Sequence, residues 1–309
     1  MRAQGWWPMV AGVAALLLCC AGCGRHADNG AVNADSKLSV FVSIPPQAYL
    51  ARRVGGDRVE VHALLAPADN PHTFDPTPRQ VSRLGDADLY FTAGIGLEKR
   101  LVERISRAHG PRLVDATRGI ERRSMAEPLG QRGEGPENHG MKDPHTWLDP
   151  MLAARQAENM CGAMKEADPQ GAEVYEQNLA ALRRQLEELD AELREILKPV
   201  RGREMYVFHP AFGYFADRYG LEQVPVQVGG SSPGAQHLSQ LIRAAREQGV
   251  KAIFVQPQYS AEDAHAVARG VGAEVVPLDP LAADYANNLR RMARRVRRAL
   301  TGEEEGDGR

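Results

Sequence analysis

The stretch DPQGAEVYEQNLAALRRQLEELDAELREILKPV, residues 168–200, decides the fold of this chain. It is rich in Ala, Leu, Glu, Gln and Arg, which favour helix, and Pro169 and Pro199 mark its start and its stop. Its leucines recur at spacings of three and four and form one apolar stripe: positions 179, 182, 186, 189, 193 and 197. We predict one long, stiff helix over residues 168–199 that packs along the structure on both sides of it, with a coiled-coil partner helix as the alternative.

Short apolar runs alternate with helical patterns on both sides of this helix. LSVFVSI and DLYFTA come before it, and EMYVFH and KAIFVQP follow it. This βαβα rhythm predicts an α/β fold of two lobes with mostly parallel sheets, over residues 38–167 and 200–300, bridged by the helix. The polar residues 301–309 are expected to be disordered.

Composition and charge exclude some functions. The 309 residues are 43% hydrophobic and 25% charged, which is globular composition, and the formal net charge is -2. Such a balance gives no electrostatic basis for binding nucleic acid. We expect a monomer that recognises its partners locally.

The N-terminus predicts export. Residues 1–23 contain a basic start and the apolar run VAGVAALLL, which is too short to span a bilayer. The run ends in CCAGCG and resembles the bacterial lipobox, in which the cysteine at the position of Cys23 is acylated, although Cys20 stands where leucine is usual. Residues 24–37 are small and polar, which is typical of a flexible tether. We expect a protein held at the membrane by lipid, and simple cleavage to a soluble product is the alternative.

One cysteine remains in the mature domain. Cys161 lies in AENMCGAMKEA, a helical pattern, and has no partner for a disulfide within the domain. We expect a small buried side chain there rather than a reactive thiol.

Four residues are candidate metal ligands. His72 lies between two prolines in ADNPHTFDPTP, and proline restricts both itself and the residue before it. His145 follows Pro144 in DPHTWLDP, His209 ends EMYVFH, and Asp279 ends EVVPLD. Residues at the carboxyl ends of parallel strands share one crevice, so these loops are expected to converge between the lobes. Three imidazoles and a carboxylate suit Zn(II), but dispersed ligands have no spacing signature, and four unrelated loop residues are the alternative.

The chain resembles the metal-binding lipoproteins of ABC importers, the cluster that delivers zinc or manganese to a membrane permease. The resemblance spans residues 38–300 and depends on NPHTFDPTP, DADLYFTAGIGLE, DPHTWLDP, FHPAFGYFADRYGL, KAIFVQPQYS and VVPLDPL, in the family's order. It implies two α/β lobes joined by a rigid helix, a permease as partner and a metal as cargo. It also implies that His72, His145, His209 and Asp279 are the ligands.

The resemblance favours zinc over manganese or iron. Manganese-type relatives have glutamate at the position of His209, and zinc-type relatives have histidine, which matches the softer preference of zinc. This chain departs from the zinc type in two places. The loop before the second ligand retains only His139, a possible auxiliary ligand, and Gln256 stands where glutamate is common. Asp75 and Asp149 could orient imidazoles, but capping or turn roles are expected.

Two rival functions belong to other classes. Three protein ligands with an open position would activate water in a zinc hydrolase, but Asp279 offers a fourth ligand and no motif supplies a general base. A surface adhesin would need an exposed apolar patch, which a sequence does not reveal. We therefore predict a zinc-binding protein without catalytic activity, located outside the cytoplasmic membrane.

Overall fold

A computed structural model describes residues 37–105, 110–126, 142–226, 235–259 and 261–303. The predicted signal peptide with Cys23, the tether up to residue 36, His139 and the last six residues lie outside these ranges. Within them, no helix has the length and hydrophobicity that crossing a membrane requires.

The first half contains a four-stranded parallel sheet in the order β2-β1-β3-β4. Its strands are β1 Leu38–Val42, β2 Val59–Ala63, β3 Leu89–Thr92 and β4 Arg112–Asp115, and its helices are α1 Pro45–Gly55, α2 Pro78–Gly85 and α3 Gly96–Ile105. The central strands β1 and β3 are almost wholly buried, as expected of a parallel sheet that is covered on both faces.

Two helices connect the halves. The helix α4, Pro150–Ala167, begins where the Asp149 side chain accepts hydrogen bonds from the backbone N–H groups of Met151 and Leu152, so Asp149 is a helix cap. A short 3-10 turn separates it from α5, Ala172–Leu197, a helix of 26 residues. Five of the six leucines of its stripe are buried and Leu179 is partly buried.

The second half repeats the architecture with the strand order β6-β5-β7-β8, again all parallel. Its strands are β5 Glu204–Val207, β6 Glu222–Pro225, β7 Ala252–Val255 and β8 Glu274–Pro277, and its helices are α6 Gly213–Tyr219, α7 Ala235–Glu247, α8 Ala261–Val271 and α9 Tyr285–Thr301. The long helix α5 packs against α1 and α4 from the first half and against α9 from the second. The leucine stripe therefore packs against helices of the same chain. The predicted α/β class with parallel sheets and one long helix is confirmed.

The equivalent strand orders place equivalent crossover points in the two halves. The order in which successive strands are added across the sheet reverses between β1 and β3 in one sheet and between β5 and β7 in the other. In open α/β sheets, ligands bind beyond the carboxyl ends of the strands at such points. Of the candidate ligands, His209 follows the central strand β5, whereas His72 follows β2, His145 lies between β4 and α4, and Asp279 follows β8.

Candidate metal centre

The three predicted histidines line one cavity of about 420 Å³. His72 lies in the loop that follows β2, His145 precedes the turn that leads into α4, and His209 follows β5. The side chain of His209 is only 5% exposed and that of His145 is 9% exposed, whereas His72 is exposed. Loops of both halves therefore bring three imidazoles to one cleft.

His72 and His209 already have the spacing of two ligands of one ion. Their Nε2 atoms lie 3.4 Å apart, and their rings meet edge to face with centroids 4.9 Å apart. Two nitrogens bound tetrahedrally to zinc at its usual bond length lie about 3.3 Å apart. A cation between these atoms would thus need little movement of either ring.

His145 is oriented by Asp143. The Asp143 carboxylate lies 2.7 Å from His145 Nδ1 and also accepts the backbone N–H of His145 at 2.9 Å. Asp143 is 1% exposed, so its charge acts without much screening by water. This contact occupies Nδ1 and leaves Nε2 as the ring nitrogen for a metal, an arrangement common among metal-binding histidines.

His209 is held through its backbone and its ring. The side-chain amide of Gln256 donates to the carbonyl oxygen of His209 at 2.8 Å, and its oxygen accepts the backbone N–H of His209 at 3.4 Å. The ring of Tyr259 stacks on the imidazole with centroids 4.9 Å apart. Gln256 therefore positions the candidate ligand His209 through neutral hydrogen bonds, without the charge that glutamate would bring.

The environment keeps two of the imidazoles neutral. Burial lowers the pKa of His209 well below its usual value near 6.5, and the nearby His145 and His72 lower it further. Burial of the ring, and then the neighbouring His145, also lower the pKa of His72. His72 is exposed as a residue, so the larger effect is that on His209. Neutral imidazoles have a free lone pair, which is the form that binds a metal.

Asp279 lies near these residues but does not contact them. Its Oδ1 accepts hydrogen bonds from the side-chain amide of Gln258 at 2.7 Å and from the backbone N–H of Leu281 at 2.9 Å. No contact joins it to any of the three histidines within the described ranges. Gln258 lines the cavity, whereas Asp279 does not.

The ligand set is therefore only partly assembled. Among the residues that the structure describes, no group of three His, Cys, Asp or Glu side chains already converges on one metal position. The ring of His145 lies 5.5 Å from that of His209 between centroids. Of the four candidate ligands, only His72 and His209 have ring nitrogens within 3.5 Å of each other in the described structure.

Hydrogen bonds across the cleft hold its two walls together. Trp147 Nε1 donates to the carbonyl oxygen of Pro280 at 2.7 Å, and the hydroxyl of Tyr285 donates to the carbonyl oxygen of Trp147 at 2.7 Å. Gln258 adds a third link, because its amide also donates to the carbonyl oxygen of Pro67 at 2.6 Å. The loops that carry the candidate ligands are thus tied to one another.

The sequence analysis did not identify several residues that position the candidate ligands. Asp143, Trp147, Gln258 and Tyr259 all lie in motifs quoted above, but their partners are distant in sequence or depend on a turn geometry. The only signal for Asp143 was its place two residues before a candidate ligand. Cys161 is free and buried, as predicted.

Comparison with known proteins identifies the family. The model of the family described as zinc-uptake complex component A, periplasmic, matches residues 40–299. The high-affinity zinc uptake system protein ZnuA of Bacillus subtilis (strain 168) is 30% identical over 284 residues, which cover 89% of this chain and 88% of that protein. A crystal structure of ZnuA superimposes with a TM-score of 0.78 and 38% sequence identity, over 85% of this chain and 99% of that one.

A streptococcal relative is longer. The zinc-binding lipoprotein AdcA of Streptococcus pneumoniae (strain ATCC BAA-255 / R6) is 26% identical over 261 residues. The match covers 80% of this chain and 51% of AdcA, so the chain spans about half the length of that relative.

Proposed function

Since the chain belongs to the family of periplasmic zinc-uptake complex components, we propose that it captures zinc outside the cytoplasmic membrane and delivers it to an ABC-type permease. The observation that carries the proposal is the 3.4 Å separation of the Nε2 atoms of His72 and His209, which equals the spacing of two tetrahedral zinc ligands. Zinc is the cargo in this account, and no catalytic step is assigned to it.

The proposed ligands are His72, His145, His209 and Asp279. Neutral imidazole is a donor that suits zinc, and the lowered pKa values of His72 and His209 favour that form. Asp143 supports the assignment of His145 because it fixes the ring through Nδ1. Asp279 would complete a site of overall charge +1 with Zn(II) by donating one carboxylate oxygen, after a small shift from its present hydrogen bonds.

Three nitrogen donors favour zinc over manganese. Manganese and iron(II) take more oxygen ligands and bind more weakly to a given nitrogen site in the general affinity order. The proposed cargo is therefore zinc, with manganese as the competing ion to be measured.

The sequence and the family support a proposal for the location and the state of the chain. We propose that residues 1–23 direct export, that Cys23 carries the lipid, and that residues 24–37 tether a monomeric domain to the outer side of the cytoplasmic membrane. Within that domain we propose lobes over residues 38–167 and 200–300 that share the helix 168–199. The tail predicted over residues 301–309 starts too early, because α9 extends to Thr301 and Glu303 forms an ion pair with Arg297.

Elemental analysis and competition titration test the function. Full-length protein purified in detergent without added metal should contain zinc or take up one zinc per chain, and a chromogenic chelator should reveal saturable binding. Zinc should also raise the melting temperature, because it binds the native state preferentially. A titration without a saturable site, or a melting temperature that excess zinc leaves unchanged, would refute the proposal.

The same titration tests the auxiliary role of His139. A stoichiometry of two zinc ions that returns to one in His139→Ala would assign the second ion to that loop. A stoichiometry of one in both proteins would leave His139 without a role in zinc binding.

A further inference from the structure

The carboxylate that orients His145 has a second oxygen that the imidazole does not use. Asp143 Oδ1 contacts both Nδ1 and the backbone N–H of His145, whereas Oδ2 is buried and has no hydrogen-bond partner among the described residues. Burying an uncompensated negative charge is costly, so a positive charge close to it is needed to offset that cost. The side chain of Arg123 is placed to supply this charge.

Arg123 and Asp143 approach each other over Gly213. A Cβ atom on Gly213 would lie less than 3.0 Å from both Arg123 Nη1 and Asp143 Oδ2, so these two atoms are less than twice that distance apart. Nη1 is itself buried and has no hydrogen-bond partner in the described structure. Opposite charges at this separation attract each other more strongly in a buried site than in water. Gly213 leaves the space that the guanidinium occupies.

The backbone fixes where the Arg123 side chain starts. The N–H of Asp143 donates to the carbonyl oxygen of Arg123 at 2.9 Å, beside an antiparallel bridge between Ser124 and Lys142. The two residues are therefore held next to each other by their main chain as well as by their charges.

The helix α6, which follows His209, holds this pair from the other half of the chain. The hydroxyl of Tyr214 accepts the backbone N–H of Arg123 and donates to the carbonyl oxygen of Asp143, both at 3.1 Å. Asp217 Oδ2 lies 2.9 Å from Arg123 Nη1. The Asp217 side chain is 61% exposed, so this ion pair alone contributes little to stability. The contacts of α6 thus fix Arg123 and Asp143 relative to the loop of His209.

We propose that Arg123 is a positioning residue for zinc capture. Neither Arg123 nor Asp143 lines the cavity, so Arg123 acts on the metal only through other residues. Its guanidinium holds the Asp143 carboxylate in place, and the carboxylate in turn holds the ring of His145. This inference rests on the proposed function, because it assigns a support to one of the proposed zinc ligands.

Arg123→Gln tests the inference in the full-length protein purified in detergent. Zinc affinity, measured by competition with a chelator, should fall about tenfold, the low end of the range for residues that support a metal ligand. The ¹⁵N shifts of the His145 ring should show that a single tautomer is lost, because the carboxylate is no longer held against Nδ1. A purely structural arginine would lower the melting temperature and leave that tautomer unchanged, and this result would overturn the inference.

A double-mutant cycle tests whether Arg123 acts through Asp143. In the Asp143→Asn background, Arg123→Gln should cause no further loss of zinc affinity, because the carboxylate that it holds is already gone. Losses that add up in the double variant would show that Arg123 acts by another route, and would overturn the inference.

Asp217→Asn tests the other partner of Arg123. Zinc affinity should change by less than about fivefold, because the Asp217 side chain is exposed. A loss as large as that in Arg123→Gln would assign the effect to the ion pair with Asp217, and would overturn the role given to Asp143.

Gly213→Ala disturbs the same contact without removing a charge. A methyl group there would displace the guanidinium from Asp143, whereas the helix α6 itself should tolerate alanine, which has the higher helix propensity. Zinc affinity and the His145 tautomer should change as in Arg123→Gln, so the inference is testable even if Arg123→Gln does not fold. Wild-type zinc affinity and a wild-type tautomer in Gly213→Ala would overturn it.

Arg123→Lys and Arg155→Gln are the controls. Arg123→Lys keeps the positive charge and should recover most of the affinity that Arg123→Gln loses, and a failure to recover any of it would overturn the role of the charge. Arg155→Gln removes an arginine that pairs with Glu158 on α4 away from the cavity, and should bind zinc like the wild type. An equal loss in Arg155→Gln would overturn the inference. Absence of zinc binding in the wild type would instead refute the proposed function, so the two failures are distinguishable.

Discussion

A single amide links Asp279 to the opposite wall of the cleft: Gln258 Nε2 lies 2.7 Å from Asp279 Oδ1 and 2.6 Å from the carbonyl oxygen of Pro67. Pro67 lies five residues before His72 in the same loop. Gln258 therefore links Asp279 to the loop that carries His72, the most exposed of the three candidate histidines. Any shift of Asp279 towards a metal is coupled to that loop.

Asp279→Asn tests the fourth ligand directly. We expect zinc affinity to fall at least about tenfold, because the neutral amide is a poor ligand for Zn(II) compared with a carboxylate. Competition with a chelator of known affinity measures the change. Asp57→Asn is the control, since Asp57 is an exposed carboxylate away from the cleft. An unchanged dissociation constant in Asp279→Asn would remove Asp279 from the coordination shell.

Asp143→Asn should weaken zinc binding roughly 10- to 100-fold, although Asp143 is not itself a proposed ligand. The reason is that the carboxylate fixes the ring orientation and the tautomer of His145 through Nδ1. Zinc titration gives the affinity, and ¹⁵N chemical shifts of the His145 ring report its tautomer. A purely structural role would lower the melting temperature but leave the tautomer as it is in the wild type.

Substitutions at His209 test metal selectivity. His209→Glu replaces an imidazole by a harder, charged oxygen donor, so zinc should weaken relative to manganese. His209→Ala should lose zinc affinity without the relative gain for manganese. The measurement is the ratio of zinc and manganese dissociation constants at one pH, and His265→Glu, on the exposed face of α8, is the control. The same ratio in His209→Glu and in the wild type would exclude His209 from the site.

The lowered pKa values of His72 and His209 fix the direction of the pH dependence. In the unfolded chain these groups titrate near 6.5, and in the folded metal-free protein they titrate below that value. Between the two values the unfolded chain holds more protons, so the free energy of unfolding should fall as pH drops below about 6.5 and should be insensitive to these groups above it.

Denaturant unfolding of metal-free protein from pH 8 to pH 5 measures this dependence. His209→Ala should flatten the decline below pH 6.5, because the more strongly shifted group is removed. Zinc affinity should also decrease over the same acidic range, since protons compete for the imidazoles. A decline in unfolding free energy that is equally steep in His209→Ala would attribute it to other groups.

Acylation of Cys23 is a separate prediction. Small residues precede Cys23, and a polar segment follows it, as in lipoprotein signals. Labelled palmitate should enter the wild type and Cys20→Ala in a bacterial host, and Cys23→Ala should remain unlabelled. Equal labelling of Cys23→Ala would assign the lipid to another residue.

The periodic parts of the fold could be predicted because their patterns reflect burial. The leucine stripe of α5 and the apolar runs of β1, β3, β5 and β7 are buried on the faces that their spacing indicates. The edge strand β4, Arg112–Asp115, has no such pattern, because three of its four residues are exposed. It exists through its pairing with β3, which a local pattern does not encode.

For the candidate site, the sequence predicted which loops come together but not the contacts within them. Loops at the carboxyl ends of parallel sheets predicted that His72, His145, His209 and Asp279 would meet. The three histidines share one cavity, whereas Asp279 does not line it. The contact of Asp143 with His145 depends on the particular turn at His145, with φ -77° and ψ 38°, and the stacking of Tyr259 on His209 depends on a loop after β7. Neither dihedral angles nor ring packing follow from residue spacing.

The unbroken course of α5 limits how this protein can release its cargo. Its 26 residues extend for about 39 Å and contain neither proline nor glycine, so the helix has no joint about which the halves could swing. With His72 as a ligand, release of the ion would then depend on its exposed loop, whose movement would remove one ligand while the buried His145 and His209 stay in place. A permease would accordingly distinguish the zinc-loaded from the zinc-free protein by the conformation of a few loop residues. It would not rely on a movement of one half against the other.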